Sequence, residues 1–306
     1  MTTIGADNRP LRVLYLGTPG AFSRAPLLAL LDAGFVVCGV VIPAEHAAQP
    51  AIVPLVSVGA RSPLPIANPY LTPTIVHTAW ERGIPAFAAA RLDDPATRAT
   101  IADLRPDIAC VACFPRRIPA TLLRLAPLGW LNVHPSLLPA YRGPAPIFWA
   151  LRNGETSIGV TVHFMDEDFD TGEIAAQAPL ALPEGAGGAQ ADDICAALGA
   201  QLLVKTLRDL QRGALVPRRQ APGGTYYGWP REEDWTISVA WPARRAFNFM
   251  RATDDWRHPY RVETGGARLV LISALSYAAG ETLGAPYLRG AGEVAIQCTP
   301  GVLRAR

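Results

Sequence analysis

The chain has 306 residues, of which 50% are hydrophobic and 18% are charged, and its formal net charge is +2. This length suits one large domain or two smaller ones, and the hydrophobic fraction allows a sizeable core without disulfide bonds. The low charge density argues against a protein whose whole surface coats a polyanion such as nucleic acid.

The cysteines and the apolar segments indicate the cellular compartment of the protein. The five cysteines do not suggest a disulfide framework, and Cys110 and Cys113, although spaced as CxxC, lie in an apolar run typical of a buried strand. The N-terminus lacks the basic start and apolar core of a signal peptide, and no apolar run reaches the ~20 residues of a membrane span. We therefore expect a cytoplasmic protein with no membrane partner, and no redox or metal-binding role for the CxxC pair.

The N-terminal segments predict the fold class. Residues 11–17 form a short apolar run that ends in glycine, residues 22–33 have a helical pattern, and residues 35–42 form a second apolar run. This strand–helix–strand order predicts an α/β protein with a doubly wound, mostly parallel, Rossmann-like sheet. The turn at 17–20 lacks the GxGxxG spacing, and no acidic residue ends the second strand, so we expect no NAD or ATP site.

Alternating helical and strand patterns continue towards residue 213. Residues 43–73 are rich in proline and alanine and predict a long loop. Beyond this loop we predict helices ending near residue 82 and at 95–104, 146–152 and 189–211, and strands at 84–87, 108–114, 128–134, 158–165 and 173–182. Prolines, glycines and two tyrosines predict a linker at 214–229, which separates a main domain at 1–213 from a small β-rich domain at 230–306.

Polar residues cluster at the end of the strand predicted at 128–134. Asn132 and His134 are two residues apart, so on a strand they point to the same face. That face offers an amide donor beside an imidazole that holds or passes a proton near neutral pH. Asp170 would orient the histidine and stabilise its charged form if the fold returns it to this point. A donor, a base and an orienting carboxylate are the groups needed to move an acyl group onto an amine.

The segments around these residues resemble a known family. The strand continues into Ser136-Leu137-Leu138-Pro139 and then Arg142-Gly143, and Asp170-Thr171-Gly172 follows later. These separated elements, in this order, are similar to the signature of the 10-formyltetrahydrofolate-dependent formyltransferases. Among them the methionyl-tRNA formyltransferases have the most similar overall layout, and the chain also resembles the sugar N-formyltransferases. The match extends over roughly residues 11–182 and is weaker in the C-terminal part.

The resemblance implies an enzyme that transfers a formyl group from 10-formyltetrahydrofolate, without a metal or NAD. It gives Asn132 the role of oxyanion donor, His134 that of the base for the amine proton, and Asp170 that of orienting His134. The implied folate-binding residues are Ser136, Leu137, Leu138, Pro139, Phe114 and Ile118, and the implied substrate-binding residues are Arg142 and Gly143. Members of the family often carry a small barrel-like C-terminal domain, which matches the β-rich segment at 230–306.

Several residues keep alternative interpretations. The segment 114–117, Phe-Pro-Arg-Arg, stands where relatives carry Tyr-Gly and an apolar pair, and it either alters the pterin side of the site or marks acceptor selection. His163 has the opposite strand parity to Val160 and Val162, so it either faces the site or has a structural role, which is the interpretation we favour. Arg142 either contacts the substrate or holds its loop, and the leucines at 137 and 138 either line the folate pocket or fill core.

The sequence offers two candidate amine acceptors. Methionyl-tRNA formyltransferases grip tRNA partly through a basic loop after the second strand, whereas residues 43–73 here contain Arg61 as the only positive residue. Acidic residues offset many of the arginines in 230–306. The sequence therefore favours a small-molecule amine, such as a nucleotide-linked amino sugar, with initiator methionyl-tRNA as the alternative.

Two further hypotheses concern the same site. The Asn132, His134 and Asp170 set would also hydrolyse formyltetrahydrofolate, although hydrolases of this family usually carry an extra N-terminal domain and the sheet here begins at Leu11. A folate-binding module that has lost catalysis is the second hypothesis, and the presence of all three residues argues against it.

Overall fold

An eight-stranded sheet organises the first two thirds of the chain. The structure, a computed structural model, describes residues 9–44, 50–57 and 73–306. Strands β1 to β8 are Arg12–Gly17, Val36–Pro43, Ile52–Pro54, Ala86–Ala89, Ile108–Ala112, Trp130–His134, Ser157–Phe164 and Ile174–Ala181. Helices α1 to α6 are Ala21–Asp32, Ile75–Glu81, Pro95–Asp103, Ala120–Leu123, Pro146–Arg152 and Gly188–Gln211.

The strand order confirms the predicted fold class. The sheet has the order β3-β4-β2-β1-β5-β6-β7-β8. Neighbouring strands from β4 through β2, β1 and β5 to β6 run parallel, whereas β3 is antiparallel to β4 and β7 is antiparallel to β6. This mostly parallel sheet with intervening helices is the doubly wound α/β arrangement predicted from the N-terminal pattern.

Strand β5 shows how the apolar sequence becomes sheet interior. All 5 of its residues are buried, as expected for a central parallel strand covered on both faces. Burial raises the pKa of the Cys110 thiol, so this side chain remains protonated and packs as a small apolar group. Cys113 lies beyond the end of the strand and is exposed.

The C-terminal region forms two small sheets. Strands β9 to β15 are Thr236–Ile237, Tyr260–Thr264, Ala267–Leu271, Ala274–Ala278, Tyr287–Arg289, Val294–Gln297 and Val302–Ala305, and helix α7 is Ala243–Ala252. The three-stranded sheet has the order β11-β10-β9, and the four-stranded sheet has the order β12-β15-β14-β13. The pairs are antiparallel except for β10 with β9. The β-rich character predicted for this region is therefore confirmed.

The chain folds into two compact units, each built from several separate segments. The first unit contains residues 1–139, 160–178 and 195–224, and the second contains 140–159, 179–194 and 225–306. Phe148 lies in the core of the second unit, with its ring centroid 5.0 Å from that of Trp235 and 5.1 Å from that of Phe249. The domain boundaries drawn from the sequence, with a linker at 214–229, stay a prediction.

The proline-rich segment at 43–73 differs in part from the predicted loop. Residues 52–54 form β3, whose backbone pairs antiparallel with that of Ala86–Ala89. A proline ends this strand, as is common at a sheet edge, and that proline obscured the short strand in the sequence. Residues 45–49 and 58–72, including Arg61, lie outside the described residues.

None of the helices in the described parts of the chain combines the length and the apolar character that crossing a bilayer requires.

Close packing of α6 on the sheet generates a test of the fold. A Cβ atom at Gly199 would lie 2.4 Å from Cγ1 of Val133 on β6, a stiff β-branched side chain. Replacing Gly199 with Ala gains about 1 kcal/mol of helix propensity, but overpacking costs about 1–3 kcal/mol. We expect Gly199→Ala to lower the free energy of unfolding measured with urea.

The matched control for this substitution is Gly280→Ala. A Cβ atom at Gly280 meets nothing within 4 Å, so we expect its unfolding curve to overlay that of the unsubstituted protein. An unfolding midpoint for Gly199→Ala equal to that of the control would contradict the packing of α6 on β6.

Candidate active site

The end of β6 presents two polar side chains on one face. Asn132 is half-buried and His134 is 4% exposed. Antiparallel pairing with β7 places Asn132 opposite His163 and His134 opposite Thr161. The two-residue spacing in the sequence therefore correctly predicted a shared face, because both residues lie within one regular strand.

Asp170 returns to this face from the loop after β7. Its Oδ1 atom lies 3.7 Å from His134 Nδ1 and 3.4 Å from Asn132 Nδ2. The backbone of Asp170 has a φ of 57°, in the left-handed region that aspartate tolerates better than most residues. The structure thus brings together the three side chains that the sequence singled out, while their catalytic roles stay predictions.

His163 completes the same cluster. Its Nε2 atom lies 3.2 Å from Asn132 Nδ2 and 3.4 Å from Asp170 Oδ1. The residue is 1% exposed, and its ring contacts both Asn132 and Asp170. The purely structural role that we favoured from the sequence therefore does not account for this position in the cluster. Strand parity could not decide this point, because the contact depends on which residue of β6 faces His163.

Gly172 allows the loop that carries Asp170 to pass close to the backbone of Phe164. A Cβ atom at Gly172 would lie 1.9 Å from the backbone oxygen of Phe164, so the two backbones approach too closely for any other residue. Gln220 donates from Nε2 to the backbone oxygens of Asp170 and Gly172, both at 2.8 Å. These contacts hold the aspartate at the cluster and give a physical reason for glycine in Asp170-Thr171-Gly172.

The unusual arginine pair after β5 binds backbone oxygens. Arg117 donates from Nε to the oxygen of Glu167 at 2.8 Å and from Nη2 to the same oxygen, so it holds the loop of Asp170. Arg116 donates to the oxygens of Ala44 and Ala89, each at 3.0 Å, and to that of Ala90. The departure from the family pattern thus ties the segments at the ends of β2, β4 and β7 to the β5–α4 connection.

The loop after β6 is held by two polar side chains. Thr161 Oγ1 donates to the Ser136 oxygen at 2.7 Å and accepts from the Leu138 amide at 3.2 Å. Gln177 donates to the Leu138 oxygen at 2.9 Å and to Thr161 Oγ1 at 2.8 Å. The loop ends in a cis bond between Leu138 and Pro139.

The residues assigned to the folate pocket differ in exposure. Ser136 and Leu138 are buried, whereas Leu137 and Pro139 are half-buried. Ile118 is 2% exposed within an apolar cluster of the first unit, and the half-buried Phe114 packs against that cluster. Their assignment to the folate pocket stays a prediction.

Arg142 and Gly143 belong to the second unit. The Arg142 amide donates to the Thr225 oxygen, and the Arg142 oxygen accepts from the Tyr227 amide, both at 2.9 Å. Gly143 has a φ of 109°, and a Cβ atom there would lie 2.0 Å from the Tyr227 oxygen. These contacts require glycine for backbone packing, and substrate binding by the two residues stays a prediction.

Within the described ranges, no group of three or more His, Cys, Asp and Glu side chains has an arrangement that could hold a metal ion.

Comparison with known proteins identifies the family. The sequence model of the family described as Formyl transferase matches residues 59–207. The methionyl-tRNA formyltransferase of Roseiflexus sp. (strain RS-1) is 36% identical over 249 residues, which are 81% of this chain and 71% of that relative. The chain belongs to the formyl transferase family. The methionyl-tRNA formyltransferase of Anaeromyxobacter dehalogenans (strain 2CP-1 / ATCC BAA-258) is 36% identical over 298 residues, 95% of this chain and 89% of the relative.

Solved structures support the fold of this formyltransferase. The N-formyltransferase from Helicobacter canadensis, solved with folinic acid and dTDP-3-aminofucose, has a TM-score of 0.64 at 15% identity and covers 96% of this chain and 98% of its own. HypX from Aquifex aeolicus in complex with tetrahydrofolic acid has a TM-score of 0.61 at 17% identity. The chain spans 44% of the length of HypX. At these identities the likeness concerns the fold alone.

The glycine of the Asp170 loop provides a test of the site. We expect Gly172→Ala to lower kcat by about 10²-fold, because a shift of about 1 Å in a catalytic side chain has an effect of this size. Steady-state kinetics with a formyl acceptor measures it. The control is Gly284→Ala, whose Cβ meets nothing within 4 Å and which should keep full activity. Full activity of Gly172→Ala would show that the loop tolerates a side chain there.

The hydrogen bonds from Arg117 to the Glu167 oxygen provide a second test. Arg117→Ala removes the donors to the Glu167 oxygen, so the loop of Asp170 gains mobility and kcat falls by about 3–10-fold, a loss of roughly 1 kcal/mol typical of a hydrogen bond. The control is Arg124→Ala, an exposed arginine that follows α4. Equal kcat values for the two variants would show that Arg117 does not hold the loop.

Proposed function

We propose that this formyltransferase moves the formyl group of 10-formyltetrahydrofolate onto the amine of initiator methionyl-tRNA. The observation that carries this proposal is the similarity to the Anaeromyxobacter dehalogenans methionyl-tRNA formyltransferase, which covers 95% of this chain and therefore includes both compact units. The sequence favoured a small-molecule amine, but the relatives support the alternative better. The low positive charge of residues 43–73 is weaker evidence about the acceptor than sequence identity along nearly the whole chain.

The cluster at the end of β6 supports the chemistry. When the amine attacks the formyl carbon, the carbonyl oxygen becomes negative, and a preformed donor such as the Asn132 amide stabilises it by about 10²–10³ in rate. His134 takes the proton that the amine loses, a contribution of roughly 10²–10⁴. When the oxyanion collapses, the bond between the formyl carbon and the folate nitrogen breaks, and His134 returns the proton to that leaving nitrogen. Asp170, whose Oδ1 atom lies 3.7 Å from His134 Nδ1, orients the ring and stabilises its charge as the proton arrives.

The formyl donor is proposed from the same segment of the chain. The Ser136–Pro139 loop combines apolar side chains with backbone groups, which suit a flat pterin ring that needs both packing and hydrogen bonds. Phe114 and Ile118 extend the apolar surface that we assign to the donor. Structures of similar fold that hold tetrahydrofolic acid or folinic acid support a folate as the formyl donor.

A small-molecule amine is the second candidate acceptor. Arg61 is the only positive residue in the segment 43–73, where tRNA-binding relatives carry a basic loop. The similar fold of the N-formyltransferase solved with dTDP-3-aminofucose is consistent with this candidate.

An acceptor screen separates these candidates. The full chain is mixed with 10-formyltetrahydrofolate and with initiator methionyl-tRNA, uncharged tRNA, a dTDP-linked amino sugar or no acceptor, and tetrahydrofolate release is followed. Release that requires methionyl-tRNA supports the proposal, whereas release with the amino sugar alone assigns a small amine. Release without any acceptor indicates a hydrolase, and no release in any arm points to a non-catalytic folate-binding module. Raising the salt concentration should weaken tRNA binding steeply if phosphate contacts are involved.

Single substitutions test the assigned roles. We expect Asn132→Ala to lower kcat by about 10²–10³-fold and His134→Ala by about 10²–10⁴-fold, because each removes one element of the reaction. His77→Gln serves as the control, because His77 is exposed and glutamine keeps the capping box with Thr74. Turnover of His134→Ala equal to that of the control would remove His134 from the mechanism.

A further inference from the structure

Two tryptophans of the second unit are exposed to solvent. All seven tryptophans of the chain lie within the described ranges. Trp229 is 60% exposed and Trp256 is 42% exposed, whereas the other five are buried or half-buried. Tryptophan is highly buried on average and is enriched at binding surfaces. An exposed pair in contact is therefore a candidate for ligand binding.

Trp256 supports Trp229 from one side. The two ring centroids lie 6.3 Å apart, and the ring planes are inclined by 56°. Trp256 in turn lies 5.5 Å from the ring of Phe148 and 5.6 Å from that of Trp235, and both of these belong to the core of the second unit. Stacking on both exposed rings at once requires parallel planes. A planar ligand would therefore stack on the side of Trp229 that faces away from Trp256.

The backbone that leads to Trp229 is held by side chain and backbone contacts within the same unit. The Tyr227 amide donates to the Arg142 oxygen, and Trp149 Nε1 donates to the Gly228 oxygen, both at 2.9 Å. The ring of Tyr227 is stacked on that of Trp149, with the centroids 4.7 Å apart. An anchor that is already in place loses little freedom on binding, which favours affinity.

The charges near the two exposed rings disfavour some ligands. Acidic residues outnumber arginines in the segments 229–235 and 254–257. The acidic residues are Glu232, Glu233, Asp234, Asp254 and Asp255, and the arginines are Arg231 and Arg257. Such segments repel a run of phosphates or an anionic lipid surface. A neutral planar group is the ligand that this combination of exposed rings and charges fits.

The two candidate acceptors share a group of this kind. Initiator methionyl-tRNA and a dTDP-linked amino sugar both carry a nucleobase, and an unpaired base has a free π-face that stacks on aromatic side chains. Arg142, which the resemblance assigns to the substrate, is hydrogen-bonded to the backbone of the segment that leads to Trp229. We propose that Trp229, supported by Trp256, stacks on an unpaired nucleobase of the formyl acceptor. This proposal rests on the proposed formyl transfer to such an acceptor, but binding of the base needs no formyl donor.

Oxidation with N-bromosuccinimide tests the contact in the unsubstituted protein. The probes are uncharged initiator tRNA, the same tRNA without its unpaired 3′-terminal nucleotides (trimmed tRNA), dTDP and a free amino sugar. Peptide mass spectrometry locates the oxidised tryptophans. We expect Trp229 to be oxidised first and to be protected by intact tRNA or by dTDP, but not by the other two probes. Unchanged oxidation of Trp229 with every probe overturns the proposal.

Binding measurements on two variants give the size of the effect. Trp229→Ala removes the ring, so we expect the Kd of the probe that carries the stacked base to rise by about 5–100-fold, the effect of one stacked base. Trp229→Phe keeps an aromatic face and should stay within about 3-fold. The ratio of Kd values should be the same at low and high salt, because stacking releases no counterions. The control is Ile272→Ala, which truncates an apolar side chain that is 74% exposed in the same unit.

The probes also separate the sources of the base. A loss of affinity for intact but not for trimmed tRNA places an unpaired 3′-terminal base on Trp229. A loss for dTDP but for neither tRNA supports the stacking proposal and contradicts tRNA as the acceptor. Equal losses for intact and trimmed tRNA, an equal loss for the free amino sugar, or no loss with any probe overturns nucleobase stacking. If thermal unfolding shows that Trp229→Ala does not fold, the oxidation experiment on the unsubstituted protein decides the proposal.

Discussion

The carboxylate of Asp170 is the constraint on which the site depends. Its side chain is 12% exposed, and a charge with so little access to water must be balanced by donors and cations around it. Asn132, His134 and His163 surround one of its oxygens within 3.7 Å. The same charge favours one orientation of these partners, so the electrostatics of one residue organise an amide and two imidazoles around it.

Holding that carboxylate in place requires an irregular loop with many supports. Asp170 has left-handed backbone angles, and Gly172 allows the loop to pass against the Phe164 carbonyl. Gln220 and Arg117 bind backbone oxygens of the loop from two other segments of the first unit. Rigid strands thus position Asn132 and the two histidines, whereas hydrogen bonds to the backbone position the carboxylate. A site divided in this way is sensitive to changes that touch no reacting atom.

The residues proposed for formyl transfer and those proposed for acceptor binding lie in different units of the chain. The cluster that we propose for the chemistry lies in the first unit at the end of β6, where the sheet topology sets its geometry. Arg142 and Gly143, assigned to the acceptor by resemblance, lie in the second unit and are bound to its backbone near residues 225–227.

The sequence by itself determined the α/β class, most helices and strands, and the grouping of Asn132 with His134, because these follow from local periodicity along regular elements. The motif order identified the formyltransferase family, which supplied Asp170 as a partner. Only the tertiary structure decided that His163 joins the cluster, that β3 lies within the proline-rich segment, and that Arg116 and Arg117 bind backbone oxygens. These features depend on cross-strand register and on contacts between distant segments, which no local pattern records.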